Sequence, residues 1–138
     1  QKQARRLRLS PKSSDGLSNK IFERVKRMSD CIFCKIAAGE IPSKKLYEDD
    51  RIMAFYDIEP KAPVHFLVIT KDHIPGAAAI TEENSRLVAH IYEVIAKLTK
   101  ELTIDSFRVV TNNGIEAGQS VFHLHFHVLA GGILGGMA

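Results

Sequence analysis

Apolar residues between positions 81 and 102 recur at helical spacing: Leu87, Ile91, Val94, Ile95, Leu98 and Leu102 share one stripe. That spacing predicts a long helix over 81–102, with Thr81 and Asn84 supplying start chemistry. The other blocks are shorter. Residues 32–38 read as a brief helix that Asp30 caps and Gly39 ends. Residues 45–48 and 52–56 read as strands around the turn Glu48-Asp49-Asp50-Arg51. Two prolines make 58–63 a loop, 65–70 is an apolar strand, 71–76 a turn and 107–111 a further strand. Residues 112–118 form a glycine-containing loop, and the tail 131–136 is Gly-rich and flexible in composition. Short connections favour antiparallel pairing of neighbours. The expected fold class is α+β: an antiparallel sheet of about five strands with one long helix packed on it.

The last strand carries the unusual pattern. The chain reads Phe122-His123-Leu124-His125-Phe126-His127-Val128-Leu129, with half of the six histidines at alternate positions. On a strand, successive side chains take opposite faces. His123, His125 and His127 would then line one face, and Phe122, Leu124, Phe126 and Val128 the buried one. Next-but-one side chains on a strand stand roughly 6.5–7 Å apart. Imidazole serves near neutral pH as nucleophile, proton shuttle or metal ligand. The loop ahead of it holds Asn112, Gly118, Gln119 and Ser120. Its glycines let backbone N–H groups approach an anion closely. A neutral imidazole that attacks phosphorus splits one hard displacement into two, and nothing in that scheme requires a metal.

Size and charge limit the alternatives. The 138 residues suffice for one domain with a real core, and 45% apolar with 25% charged residues is ordinary for a globular protein. No segment approaches the ~18–20 apolar residues of a membrane span. The net charge of +3 is uneven: residues 1–29 carry nine Lys/Arg against two acidic residues, and the rest carry ten against fourteen. The basic character belongs to the extension, so the body (30–138) gives no case for nucleic-acid binding by bulk charge. Within 1–29, Leu17, Ile21, Phe22, Val25 and Met28 could share a helix face. The segment reads as a leader with Met28 as the start of the body, as a docking helix, or as an organelle-targeting piece. Cys31 and Cys34 are too few for a disulfide framework and suit a reducing compartment, with the cytoplasm expected. Their spacing fits metal ligation, but two more ligands are needed for a closed site. Read singly, His65 could be a satisfied buried group, Asp57 a turn former and Ser120 a strand-entry hydroxyl. His90 reads as a half-exposed helix residue.

The segment His123-Leu124-His125-Phe126-His127-Val128-Leu129 resembles the signature of the histidine triad (HIT) proteins. Ile32-Phe33-Cys34-Lys35-Ile36, Gly39-Glu40-Ile41-Pro42, Tyr47-Glu48-Asp49-Asp50, Phe55-Tyr56-Asp57-Ile58, residues 62–69 and Gly118-Gln119-Ser120-Val121-Phe122 are similar to the Hint branch in the same order. The resemblance covers about residues 30–132, and the basic extension has no counterpart in it.

The resemblance implies a homodimer with a joined sheet that hydrolyses purine nucleoside 5′-phosphoramidates through a nucleotidyl-histidine. It implies His125 as nucleophile, with His127 and His65 orienting it or holding the phosphate, and Ser120 binding phosphate or protonating the leaving amine. Asn112, Gly118 and Gln119 would contact phosphate or ribose, and Asp57 the ribose hydroxyls. Ile32, Phe33, Ile36, Phe55 and Ile58 would form an apolar slot for the base. It also implies a structural zinc ion on Cys31, Cys34, His73 and His123, with no cofactor required for catalysis. The partners would be a small purine nucleotide and a second copy, with neither nucleic acid nor membrane. Two rival readings remain: a zinc-stabilised nucleotide-binding module with little turnover, and a zinc hydrolase using the three histidines as ligands.

Overall fold

The computed structural model describes residues 30–136; the helix face read within 1–29 lies outside the described residues. The elements run α1 (Ile32–Ala37), β1 (Lys45–Glu48), β2 (Ile52–Tyr56), β3 (Val64–Thr70), α2 (Ser85–Glu101), β4 (Phe107–Val110) and β5 (His125–Ala130). Single 3-10 turns stand at Ala77–Ala79 and Ile115–Ala117. The five strands make one antiparallel sheet in the order β1-β2-β3-β5-β4, as expected for the α+β class.

Period two divides the sheet cleanly. Even-numbered residues Ile52, Ala54, Phe66, Val68, Phe126 and Val128 pack against the α2 stripe of Leu87, Ile91, Val94, Ile95 and Leu98. Odd-numbered Met53, Phe55, Leu67 and Ile69 pack instead with Phe33 and Ile36 of α1. One face therefore takes the long helix, and the other takes the short helix at one end and leaves room at the other. Ile91 is fully buried in the first cluster. Ile91→Ala should cost about 2–5 kcal/mol of stability, because the sheet behind it cannot collapse into the gap. Urea unfolding should show a lower midpoint with an unchanged slope.

Side chains set the element ends, and three of them differ from expectation. The Cys31 thiol, not Asp30, caps α1 by accepting the Cys34 N–H at 3.4 Å. The long helix starts only at Ser85, because Asn84 closes the preceding turn: its Oδ1 accepts the Thr81 N–H at 2.7 Å. Leu102 falls past the helix end and is 38% exposed, so it leaves the stripe. The β1–β2 turn is held by Asp49 Oδ1, which accepts N–H bonds from Arg51 and Ile52 at 2.8 Å. The other Asp49 oxygen meets His90 Nε2 at 2.6 Å, so the half-exposed His90 ties α2 to that hairpin.

Candidate active site

The histidine strand is shorter than its pattern. β5 begins at His125, and the chain before it is held by the Leu124 N–H donating to Ile74 O at 2.6 Å. His123 therefore stands ahead of the strand and is fully buried. Phe122, expected on the buried face, is 47% exposed for the same reason. His125 and His127 do share a face, and register brings His65 of β3 opposite Leu129 on that face. The loop leading in turns at Gly118, whose φ of +99° suits a residue without Cβ. It lies close to a second loop at Gly76, where a Cβ would stand 2.6 Å from Asn113 Oδ1.

Hydrogen bonds fix what each ring can do. His125 Nδ1 lies 2.6 Å from His123 O, an acceptor only, so Nδ1 carries the proton and donates. The lone pair of His125 is thereby left on Nε2. His65 Nδ1 accepts the Lys61 backbone N–H at 2.9 Å, so the His65 proton sits on Nε2. That Nε2–H donates to His127 Nδ1 at 2.9 Å, and His127 in turn carries its proton on Nε2. The result is one imidazole with a free lone pair beside another with a free N–H. Their ring centroids are 5.0 Å apart. Burial, partly offset by the His123 carbonyl and Asp57, lowers the pKa of His125. Burial, with His125 and His65 adding, brings His127 down to about 4. Burial also lowers His65. The set is neutral at pH 7, as a nucleophilic imidazole must be.

Both rings line an open cavity of about 430 Å³, together with Asp57, His65, Asn112, Gly118 and Ser120. The sequence did not single out Lys61, Glu59, Val110 or Leu129, which complete the lining. Leu129 was findable by alternation from His127. Val110 follows only from its pairing with His127, and nothing local marked the two charged residues.

The residues expected around the base lie on α1, on β2 and in the loop after β2. Phe55 and Ile36 are buried in the α1 cluster, and Ile36 lines a different hollow beside β1. Ile58 is 94% exposed and Ile32 46% exposed, and neither lines the imidazole cavity. Of that group, only Phe33 meets a cavity imidazole, with its ring edge-on to His125 at 5.0 Å between centroids. Their apolar character serves the core because the odd face of the sheet needs a lid. The Gln119 side chain is buried and bonded to backbone. It accepts from Gly114 N–H at 2.8 Å and donates to Pro75 O at 2.8 Å and Val121 O at 3.2 Å. It fastens the two loops together.

The four expected metal donors do come together: Cys31, Cys34, His73 and His123 offer ligand atoms all within 4.8 Å of one another. Cys34 Sγ lies 3.2 Å from His73 Nδ1 and 3.5 Å from His123 Nδ1, and Cys31 Sγ lies 3.4 Å from His123 Nδ1. Tetrahedral zinc bonded at its usual lengths has S···N edges of roughly 3.5 Å. His123 Nε2–H donates to Thr70 O at 2.6 Å, which leaves the Nδ1 lone pair for the cluster. The residues fit zinc.

A second set, Asp57, His65 and His127, is equally tight. It does not fit a cation, because His65 accepts at Nδ1 and so has a proton, not a lone pair, at Nε2. Asp57 Oδ2 stands 3.4 Å from that Nε2 and supports the relay.

Residues 30–134 match the family described as scavenger mRNA decapping enzyme C-term binding. An uncharacterized HIT-like protein from Synechocystis is 48% identical over 74% of this chain and 90% of its own length. Protein HitA from Neisseria gonorrhoeae is 41% identical over 74% of this chain and 96% of its own. Among solved structures, a histidine triad protein from Clostridium difficile matches with a TM-score of 0.76 and 50% identity, covering 79% of this chain and 96% of that one. A HIT family hydrolase from Clostridium thermocellum matches with a TM-score of 0.75 and 44% identity, covering 78% and 95%.

Proposed function

The chain belongs to the histidine triad (HIT) family, and on that premise we propose that it is a nucleotide-binding hydrolase that cleaves purine nucleoside 5′-phosphoramidates. The observation that carries this reading is the tautomer of His125. With Nδ1–H committed to His123 O, the free lone pair is on the nitrogen left to meet a phosphorus.

In the first step His125 Nε2 forms a bond to phosphorus and the P–N bond to the amine breaks. The imidazole becomes cationic, and its Nδ1–H bond to the carbonyl strengthens with that charge. His127 Nε2–H donates to a phosphate oxygen as negative charge gathers there. The leaving amine takes a proton from the exposed Ser120 hydroxyl, which solvent replenishes. In the second step water attacks phosphorus and gives up a proton to solvent, the His125–phosphorus bond breaks to return neutral imidazole, and a nucleoside monophosphate departs. Asp57 and Asn112 line the cavity where ribose hydroxyls would sit. The protein acts as a homodimer with a joined sheet, for which β4 offers an outer strand edge. Its two cysteines, free among the described residues, suit the cytoplasm.

Turnover of a fluorogenic adenosine phosphoramidate, with and without a brief chelator treatment, separates the rival readings. Activity that survives with the chelator present supports direct attack by His125. Immediate loss to the chelator supports a metal-bound hydroxide, and binding without turnover supports a nucleotide-binding module. The pH profile adds a check. The pKa of His125 is lowered, so the free enzyme loses its nucleophile only when pH falls below the ordinary imidazole value. The acid limb of kcat/KM should therefore lie below about pH 6.5. A limb at or above that value would contradict a buried, neutral nucleophile.

A further inference from the structure

His123 joins two features that otherwise have separate purposes. Its ring belongs to the sulfur cluster through Nδ1 and to Thr70 O through Nε2–H. Its backbone carbonyl, 2.6 Å from His125 Nδ1, decides the tautomer of the cavity imidazole. The next peptide is pinned as well, by the Leu124 N–H on Ile74 O. Ring, carbonyl and following amide are thus all held, and the residue is fully buried.

We propose that the Cys31, Cys34, His73 and His123 cluster, when it holds zinc, is a positioning device for His125 that acts through the backbone of His123. The proposal rests on His125 being the nucleophile of the reading above. Two sulfurs and two imidazole nitrogens crowd within 4.8 Å. A central cation draws these donors together; without one, the bonds between the thiols and the imidazoles are weak. The cluster then relaxes, and the His123 ring turns on its single remaining firm bond, to Thr70 O. Because the carbonyl belongs to the same residue, the bond that holds the His125 proton on Nδ1 loosens. His125 then samples the other tautomer, in which Nε2 carries the proton and cannot attack. His123 is accordingly a positioning residue: it touches no substrate.

The coupling differs from general stabilisation in what it predicts. Slow, complete zinc removal by dialysis should lower kcat by about 10–100-fold, the usual scale for lost outer-shell support, with little change in KM. It should also convert His125 from a single Nδ1–H tautomer to a mixture.

The test uses the full chain, uniformly labelled with nitrogen-15, in zinc-loaded, dialysed and cobalt-reloaded forms. Imidazole nitrogen NMR reads the His125 tautomer independently of activity, cobalt absorption reads thiolate coordination, and circular dichroism reads the fold. Two variants accompany it. His73→Ala, with a ligand missing, should resemble the dialysed form, and His73→Cys, with four ligands kept, should resemble the loaded one. A His125 tautomer that follows metal occupancy across these samples supports the proposal. An unchanged tautomer after metal loss overturns it, as does a cobalt spectrum without thiolate bands. General unfolding of both the dialysed protein and His73→Ala also overturns it, because the metal would then hold the fold rather than one side chain. If the tautomer follows the metal but no phosphoramidate is cleaved, the coupling stands and the proposed substrate class fails.

Discussion

Replacing His125 with Asn or Ala should lower phosphoramidate turnover by at least about 10⁴-fold, the scale on which an enzyme loses a covalent nucleophile. Asn is the sharper of the two variants. Its amide can still donate to His123 O and fill part of the ring's place, so geometry is kept while the lone pair is lost. The ring of His125 stacks edge-on against Phe33 and is 6% exposed. Removing it should therefore cost stability on the order of 1–3 kcal/mol, which thermal unfolding will register separately. Nucleotide affinity should change little, since Asp57, Asn112 and Ser120 remain in the cavity wall. Residual turnover within tenfold of the unaltered protein would show that another group attacks phosphorus.

Loss of the sulfur cluster should lower stability by several kcal/mol. Cys34 stands 3.2 Å from His73 Nδ1 and 3.5 Å from His123 Nδ1, so Cys34→Ser removes a donor that serves both. A ligand that binds only the folded state stabilises by about 2.7 kcal/mol at a hundred times its Kd and about 4.1 at a thousand times. For a domain of this size, a loss on that scale lowers Tm by roughly 10 °C or more. Differential scanning calorimetry of the zinc-loaded protein, the dialysed protein and Cys34→Ser gives the comparison. The last two should melt together, well below the first. Equal melting temperatures for all three would mean that no metal is held there. Without a cation, burial and the neighbouring Cys31 push the Cys34 thiol up to about 12. The apposed sulfurs are an arrangement that gains from a positive charge between them.

Most of the fold could be read along the chain, because short apolar blocks bounded by turn residues mark strands and helical spacing marks the long helix. β1 and β2 fell on either side of the turn that marked them, and the α2 stripe from Leu87 to Leu98 is the core of the long helix. The misreadings share one cause: hydrogen bonds to or from the backbone that the period does not record. Asn84 delays the helix, Cys31 displaces Asp30 as cap, and the amide at Leu124 takes Ile74 O and holds His123 out of the strand. The hydrophobic pattern carries no trace of these bonds, two of them local and one, from Leu124 to Ile74, reaching across the fold.

The candidate site was legible in the same uneven way. Family resemblance gave the residues that surround the imidazoles, and alternation put His125 and His127 on one face. Neither gave the proton positions, which depend on a carbonyl two residues back and on an amide at Lys61. Ile36 and Phe55 belong to the core because the odd face of β2 and β3 needs cover at that end. The bonds of the Gln119 amide to Gly114, Pro75 and Val121 were likewise not legible in the loop's sequence.

The central claim is a covalent bond between His125 Nε2 and a nucleotide's phosphorus, and rapid quenching tests it most directly. The protein is mixed with excess adenosine phosphoramidate, stopped in denaturant at alkaline pH where phosphoramidate bonds to histidine persist, and mapped by peptide mass spectrometry. The account predicts an adenylyl adduct on the peptide carrying His125, formed within one turnover and lost when substrate runs out. Full turnover with every histidine unmodified, or an adduct on a different residue, would contradict it.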